Sequence, residues 1–243
     1  MINAERNSKE PAIRVKDVFK SFDSKPVLRG ISFNVYPGEM LGIIGPSGCG
    51  KSTILKILCG LLEADSGEVE RTTDDIGLVF QGSALLNSYT VRENLQLALR
   101  GKKMSAAQEL EQIRKTLELV GMDDYLDRYP SELSGGQQKR TSFARAVVYN
   151  PPIILYDEPT TGLDPVMSTI VEDYMIELEK EMKAASIVVT HQYSTWTRTA
   201  DRIIMMHAGR IVWEGSPAEA VVSENPYIHQ FAHATREGPM LIA

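Results

Sequence analysis

The pattern of hydrophobic and polar positions along the chain is dominated by short, almost purely apolar runs. Met40–Ile44 is one of them, and residues 153–156 and 186–190 are two more that are rich in isoleucine and valine. Runs of this length predict strands that are buried on both faces, as in a mostly parallel sheet. The β-branched and aromatic residues of Ile13–Phe22 and of residues 31–35 predict two further strands. The expected fold class is therefore α/β.

Segments with helical spacing alternate with these strands. Leu110, Ile113 and Leu117 share one helical face. This spacing predicts a helix over 104–120 that is closed by Gly121. Other helices are expected over 52–60, after Ser134, from Pro165 and after a cap at Ser216, and residues 203–213 are expected to form a hairpin that turns at Gly209.

Composition and charge narrow the range of functions. The 243 residues are 43% hydrophobic and 24% charged, which is enough apolar material for one large α/β domain. A net charge of −6 gives no basic face for nucleic-acid phosphates, so nucleic acid is not an expected partner. No run reaches the roughly 18 apolar residues of a membrane span, and the first ten residues are polar. We therefore expect a soluble, cytosolic chain in which Cys49 and Cys59 are reduced thiols.

A glycine-rich phosphate-binding motif lies between a predicted strand and a predicted helix. The pattern G-x-x-x-x-G-K-[ST] lets successive backbone N–H groups turn toward a phosphate at a helix N-terminus. Lys51 would neutralise the β- and γ-phosphates, Ser52 would ligate magnesium, and Thr53 would donate to the α-phosphate. The alternative is a glycine-rich turn without chemical meaning. The nucleotide-binding residues of this motif are Gly45, Pro46, Ser47, Gly48, Cys49, Gly50, Lys51, Ser52 and Thr53.

Two acids end the predicted strand 153–156. Asp157 and Glu158 would lie at the carboxyl edge of a parallel sheet, beside the phosphates. Asp157 suits the magnesium shell, and Glu158 suits a general base that activates water. A solvated strand end or a helix cap is the alternative for such a pair. A phosphate cradle alone names no reaction, because kinases, GTPases and many motors share it.

The segment Leu133, Ser134, Gly135, Gly136, Gln137 resembles the signature motif of ATP-binding-cassette (ABC) proteins. The resemblance implies that Ser134, Gly135, Gly136 and Gln137 contact the γ-phosphate of ATP held by a second copy of the chain. A helix N-terminus offers unpaired donors to such an anion. An ordinary N-cap remains the alternative for Ser134.

Further positions resemble the family in the expected order across nearly the whole chain. The resemblance implies that Phe22 stacks on adenine, with a core phenylalanine as the alternative. It implies that Gln81 senses magnesium and the γ-phosphate, and that His191 holds the γ-phosphate and Glu158 in register. Asp164 would lie in the loop that crosses between subunits, although it could instead cap the helix that begins at Pro165.

The resemblance also implies an architecture and a mechanism. We expect a P-loop NTPase of the ABC ATPase fold, with a mostly parallel core, a small antiparallel β lobe and a helical lobe. A single domain over 1–243 would include the helical lobe at about 82–145 and a tail at about 224–243. ATP and Mg²⁺ would be bound between two chains arranged head to tail. Gln192 departs from the family pattern, because an aspartate commonly follows the histidine.

Residues 80–86, 91–94 and 230–239 are similar to ATPases of the Mla-type phospholipid transporters. This similarity implies an integral membrane permease, an MCE-domain protein, a small STAS-type regulator and a position on the cytoplasmic face of the inner membrane. The segment after Gln81 would receive a coupling helix of the permease, and the tail would pack against the neighbouring ATPase. Alternatives are a transporter for amino acids, metals or drugs, or a cassette ATPase of iron–sulfur assembly, translation or DNA repair.

Overall fold

The computed structural model describes residues 10–240, so the first nine residues and the last three of the predicted tail lie outside the described range. The strands are β1 Ile13–Phe22, β2 Lys25–Val35, β3 Met40–Ile44, β4 Ser66–Arg71, β5 Ile76–Val79, β6 Ile153–Asp157, β7 Ala185–Thr190, β8 Arg202–His207 and β9 Arg210–Gly215. The α-helices are α1 Lys51–Leu58, α2 Val91–Leu99, α3 Ala106–Leu119, α4 Gly135–Val147, α5 Pro165–Met182, α6 Tyr193–Thr199, α7 Pro217–Val222 and α8 Pro226–His233, with 3₁₀ turns at Asp123–Tyr125 and Pro130–Glu132.

A six-stranded sheet forms the centre of the fold, in the order β5-β6-β7-β3-β8-β9. Its first five strands in that order pair in parallel, and only the hairpin partner β9 is antiparallel. The buried strands β3, β6 and β7 are the three apolar runs of the sequence, which confirms the predicted parallel core. Their carboxyl ends meet at one edge of the sheet, which is the usual ligand-binding edge of such folds.

A second, antiparallel sheet has the order β2-β1-β4. Strand β2 starts at Lys25, so the predicted strand 31–35 covers only its second half. Phe22 pairs with Lys25 across the turn of the β1–β2 hairpin, and this pairing extends β2 through residues with a weak apolar pattern. The expected small antiparallel lobe is therefore present and includes a longer second strand.

Three apolar clusters pack the layers together. The first joins the antiparallel sheet to the central sheet around α1. The second packs α2, α3, α4 and α5 against the other face of the central sheet. The third lies under α6, α7 and α8. Helices α6 and α8 were not predicted from the sequence, because their few apolar positions form no extended helical stripe. Within residues 10–240, every helix is too short or too polar to span a bilayer.

The buried side chain of Asn94 fixes the segment that leads into the helical region. Its amide nitrogen donates to the carbonyl oxygens of Leu86, Tyr89 and Thr90 at 3.0–3.1 Å, and its oxygen accepts from the backbone N–H of Leu86 at 2.9 Å. The two N–H bonds of this amide are shared among the three carbonyls, and its oxygen serves one backbone N–H, so a single side chain holds the turn together. The helices between β5 and β6 agree with the expected position of the helical lobe, whose limits at about 82–145 remain a prediction.

Candidate nucleotide-hydrolysis site

The loop between β3 and α1 has backbone conformations that require glycine. Gly45 has φ 144°, and a Cβ at this position would come within 2.1 Å of the Met206 carbonyl oxygen. Gly50 has φ 108°, and its Cβ would meet Leu28 Cδ2 at 2.7 Å. Larger side chains at either position would push the loop away from the sheet. Gly48 faces open space, as expected for a backbone that approaches a ligand.

The lysine of the motif lies inside this loop. Lys51 is buried, and its Nζ donates to the carbonyl oxygens of Gly45 at 2.8 Å and Pro46 at 3.0 Å. An ammonium group has three donors, so one remains for a phosphate oxygen. Cys49 is buried beside it, and burial raises the pKa of its thiol, which keeps this sulfur protonated and inert. Pro46, Ser47 and Thr53 are partly or fully open to solvent on the same loop and first helical turn.

The magnesium candidates Ser52 and Asp157 lie together. Ser52 Oγ donates to Asp157 Oδ1 at 3.0 Å and so joins the start of α1 to the end of β6. Burial raises the pKa of the Asp157 carboxyl, and the negative charge of Glu158 raises it further, while the Ser52 hydrogen bond opposes both effects. The positive charges of Lys56 and Lys51 also lower this pKa but do not outweigh the loss of solvation on burial. Hard oxygen donors at such a place suit a divalent cation.

The carboxylate of Glu158 is held at both of its oxygens. His191 Nδ1 lies 2.8 Å from Oε1, and Thr161 Oγ1 donates to Oε2 at 3.1 Å. The side chain is mostly buried, whereas that of His191 is half exposed. Glu158 has φ 50°, a left-handed conformation that a glutamate rarely adopts, and its N–H donates to the Val189 carbonyl at 2.9 Å. Strain of this kind is common where a side chain must point to one place.

Among the described residues, the hydrogen bonds of this cluster include neither Gln81 nor Phe22, which are two further predicted site residues. Gln81 is exposed and lies two residues after Val79, the last residue of β5. Val79 pairs with Tyr156 on β6, and Glu158 lies two residues after Tyr156. Phe22 is 45% exposed at the end of β1, with Lys20 Nζ 5.6 Å from its ring centre. The alternative of a core phenylalanine is therefore wrong, and an exposed ring at the hairpin tip remains available for stacking.

The signature residues form a separate helix end. Ser134 is the N-cap of α4: its Oγ accepts from the Gln137 N–H at 3.3 Å, and the Gln137 side chain accepts from the Ser134 N–H at 2.8 Å. Asp164 caps α5 by accepting from Val166 and Met167 at 3.0 Å. Both capping alternatives are thus present in this chain. Among residues 10–240, no hydrogen bond joins Ser134, Gly135, Gly136, Gln137 or Asp164 to the glycine loop of the same chain.

Sequence reasoning missed two threonines of the site. Thr161 holds Glu158, and the fully buried Thr160 lies next to it. Both follow the acidic pair within three positions, but threonine in a loop has no pattern of its own. Only the proximity to Glu158 along the chain could have drawn attention to them.

The fold and the glycine loop define a P-loop nucleoside triphosphatase, and comparison with known proteins gives the family. The family model "ABC transporter" matches residues 28–161. The chain therefore belongs to the ABC transporter family and is an ATP-hydrolysing cassette that uses ATP with Mg²⁺.

Individual relatives agree with this assignment. Protein TRIGALACTOSYLDIACYLGLYCEROL 3, chloroplastic, of Arabidopsis thaliana is 43% identical over 96% of this chain and 77% of its own length. The spermidine/putrescine import ATP-binding protein PotA of Photobacterium profundum is 37% identical over 90% of this chain, which spans only 61% of that relative. The dimeric post-hydrolysis structure of the ATP-binding cassette MJ0796 bound to ADP and Pi has a TM-score of 0.75 and 31% identity, and the match covers 84% of this chain and 98% of that one.

The raised pKa of Asp157 predicts that this residue destabilises the nucleotide-free protein. Its carboxylate is penalised above the raised pKa, and the penalty disappears as the pH falls below the ordinary value of 3.8. Asp157→Asn should therefore raise the Tm by roughly 2–4 °C at mildly alkaline pH. The gain should stay constant down to the raised pKa and should then be lost as the pH approaches 3.8.

Thermal unfolding of the nucleotide-free protein, followed from mildly alkaline pH down toward 3.8, measures this difference in Tm. Asp124→Asn, at an exposed position in a 3₁₀ turn, is the control and should leave the Tm unchanged. A Tm gain for Asp157→Asn that does not depend on pH would contradict the explanation.

Proposed function

We propose that this chain is the nucleotide-hydrolysing subunit of a membrane transporter and that it works as a head-to-tail pair of two copies on the cytoplasmic face of the membrane. One observation carries the catalytic part of the proposal: the carboxylate of Glu158 is fixed by His191 and Thr161 next to the Ser52–Asp157 pair. This arrangement supports the proposal that an oriented base, two magnesium ligands and a phosphate loop share one sheet edge.

Ser52 and Asp157 are proposed to hold Mg²⁺, with Gln81 reaching it from the end of β5. Among the described residues there is no group of three or more histidine, cysteine or acidic side chains that could hold a metal ion. Such sparse ligation fits Mg²⁺, which keeps several waters and takes its other ligands from substrate phosphates. When bound, the ion would neutralise charge on the β- and γ-phosphates. The poorly solvated carboxylate of Asp157 is the property of this chain that a cation would relieve.

Glu158 is proposed as the general base, and His191 as the residue that orients it. A carboxylate with both oxygens engaged cannot rotate freely, yet each oxygen keeps a lone pair for a water proton. Lys51 and the loop N–H groups from Gly45 to Thr53 would bind the phosphates and stabilise the charge that spreads over them during transfer. Phe22 would stack on the adenine ring.

The second copy is proposed to complete the site. In one chain the N-termini of α4 and α5 make no hydrogen bond to its own glycine loop, as described above. At the exposed start of α4, Ser134 accepts only from the Gln137 N–H, so the Gly135 and Gly136 N–H groups can receive an anion from another molecule. Helix α5 begins with Pro165, and Asp164 takes the Val166 and Met167 N–H groups, so this end is proposed to contribute Asp164 itself rather than N–H donors. The related cassette MJ0796 is dimeric with ADP and Pi, which supports this arrangement.

A groove on the helical region is proposed as the docking place for the permease. It has a volume of about 660 Å³ and combines apolar side chains of β5, α2 and α4 with Arg100, Lys102 and Arg145 at its borders. Phe80, which is 40% exposed, lies in this groove directly before Gln81. A permease helix bound here would lie against Phe80. A single peptide bond joins Phe80 to Gln81, the proposed magnesium-sensing residue.

Phospholipid is the proposed substrate, with an Mla-type permease, an MCE-domain protein and a small STAS-type regulator as partners. The supporting observation is that the relative with 43% identity is named for a glycolipid, whereas the polyamine import protein has 37% identity. The tail at about 224–243 is proposed to contact the neighbouring ATPase subunit. The proposal also treats residues 1–243 as a single domain.

Glu158→Gln tests the base. The amide keeps the shape and the Thr161 contact but cannot take a proton, so ATP binding should persist while turnover falls by about 10²–10⁴-fold. The variant should accumulate as an ATP-bound dimer, which size-exclusion chromatography with ATP measures. Glu118→Gln, on the exposed face of α3, is the control. Turnover close to that of the parent would remove Glu158 from the mechanism.

Ser134→Ala tests the second copy, and the chain supplies a matched control. Ser105 caps α3 with the same reciprocal pair of side-chain bonds, to Gln108, as Ser134 makes to Gln137. Each alanine variant should lose about 1 kcal/mol of the free energy of unfolding. Only Ser134→Ala should lower ATP turnover, by at least about tenfold. Equal activity of the two variants would show that Ser134 is only a helix cap.

Affinity purification from membranes tests the transporter assignment. Leu97→Glu places a charge in the groove and should abolish co-purification of the permease without changing ATP binding. Val222→Glu, at a position 78% exposed on α7, should leave co-purification intact. Stimulation of ATP hydrolysis in the purified complex by phospholipid supports the substrate, and stimulation by polyamine or amino acid instead would replace it.

A further inference from the structure

A buried row of polar side chains connects the His191 loop to helix α5. The Gln192 side-chain amide lies 2.8 Å from Thr160 Oγ1, which lies 2.8 Å from Thr195 Oγ1. Thr195 Oγ1 in turn lies 2.8 Å from Glu172 Oε1. Thr160, Thr195 and Glu172 are completely buried, so water cannot replace the contacts among these three residues. Gln192 is half-buried at the outer end of the row.

We propose that Gln192, Thr160, Thr195 and Glu172 form a one-directional hydrogen-bond chain that positions the His191 loop against the segment that follows Glu158. All four are positioning residues, because they act through His191 and Glu158. The inference rests on the catalytic roles proposed above for those two residues. It adds the reason why glutamine occupies position 192.

Counting protons fixes the direction of the chain. Glu172 Oε1 accepts from Thr195 Oγ1 at 2.8 Å and from Ser194 Oγ at 3.2 Å, and Arg198 Nε lies 2.8 Å from the other oxygen, so we assign Oε1 as an acceptor only. Thr195 must therefore give its single hydroxyl proton to Glu172. Thr160 must then donate to Thr195, which uses the only proton of Thr160.

The last link must come from Gln192. Since Thr160 has no proton left, its contact with residue 192 is favourable only if the amide NH₂ donates. The oxygen and nitrogen of a glutamine amide are close in size and are assigned from their partners. We therefore orient the Gln192 nitrogen toward Thr160. The opposite orientation would place two acceptors 2.8 Å apart in a partly buried place.

The position of Gln192 in the fold explains why an acid would act differently. Gln192 is the N-cap of α6, yet its side chain makes no cap hydrogen bond. An aspartate at an N-cap normally bonds to the first helical N–H groups. It would also have no proton for Thr160. Glutamine instead leaves the helix end and reaches across to Thr160, two residues beyond Glu158.

Gln192→Glu tests the chain, because it keeps the size of the side chain and removes its donor. We expect kcat for ATP to fall about tenfold, with KM changed by less than about twofold, since no group that touches ATP is altered. The Tm should also fall. Thr160→Val and Thr195→Val interrupt the chain and should lower kcat and the Tm in the same way. Thr197→Val, on the helix that holds Thr195 but outside the chain, is their control.

Reversal of the chain provides the decisive measurement. Glu172→Gln supplies an amide donor to Thr195, so Thr195 can donate to Thr160 and Thr160 to an acceptor at position 192. The double variant Gln192→Glu with Glu172→Gln should therefore regain most of the kcat and Tm lost by Gln192→Glu alone. Effects that simply add would overturn the proposal.

A further variant separates hydrogen bonding from charge balance. In a Thr160→Val background the chain is interrupted, so the Glu172→Gln rescue should disappear. A rescue that persists there would show that only net charge links the two positions, and it would overturn the proposal. The Tm measurements need no catalysis, so they judge the chain even if Glu158→Gln removes Glu158 from the mechanism.

Discussion

The register of three parallel strands is the constraint on which the site depends. Strand β7 lies between β3 and β6, with Ile44 paired to Thr190 and Asp157 paired to Val189. The residues that follow these pairs are Gly45, His191 and Glu158. Backbone hydrogen bonds of the sheet therefore place the phosphate loop, the acid and the histidine side by side. A shift of one residue in any strand would turn these side chains to the wrong face.

Placing these groups together creates electrostatic and conformational tension. Asp157 and Glu158 are adjacent acids at a partly buried edge, and burial raises the pKa of Asp157. Glu158 also has a left-handed backbone. Neither feature benefits the folded chain by itself, and the surrounding apolar clusters must offset both. Destabilised groups of this kind are typical of catalytic sites.

Local sequence patterns predicted the parts of the structure that are set locally. The strands β3, β6 and β7 are buried, and their unbroken apolar runs predicted them. The loop at Gly45–Ser52 was found because its glycines and lysine lie within eight consecutive positions. Strand β2 was found only in part, since Lys25 and its neighbours depend on pairing with β1 for their conformation. Family resemblance, rather than pattern, supplied the roles of Gln81, His191 and Ser134, which the structure alone leaves as proposals.

The capped ends of α4 and α5 have a consequence for assembly. Ser134 accepts from the Gln137 N–H, and Asp164 accepts from the Val166 and Met167 N–H groups, so both helix ends are fixed by side chains of the same chain before any encounter. In the proposed dimer, little conformational entropy would be lost when a triphosphate arrives from the other copy. Closure of the dimer around ATP would then be limited by how often the two chains meet in a suitable orientation. The rate of the ATPase cycle would therefore depend on the local concentration of the chain at the membrane.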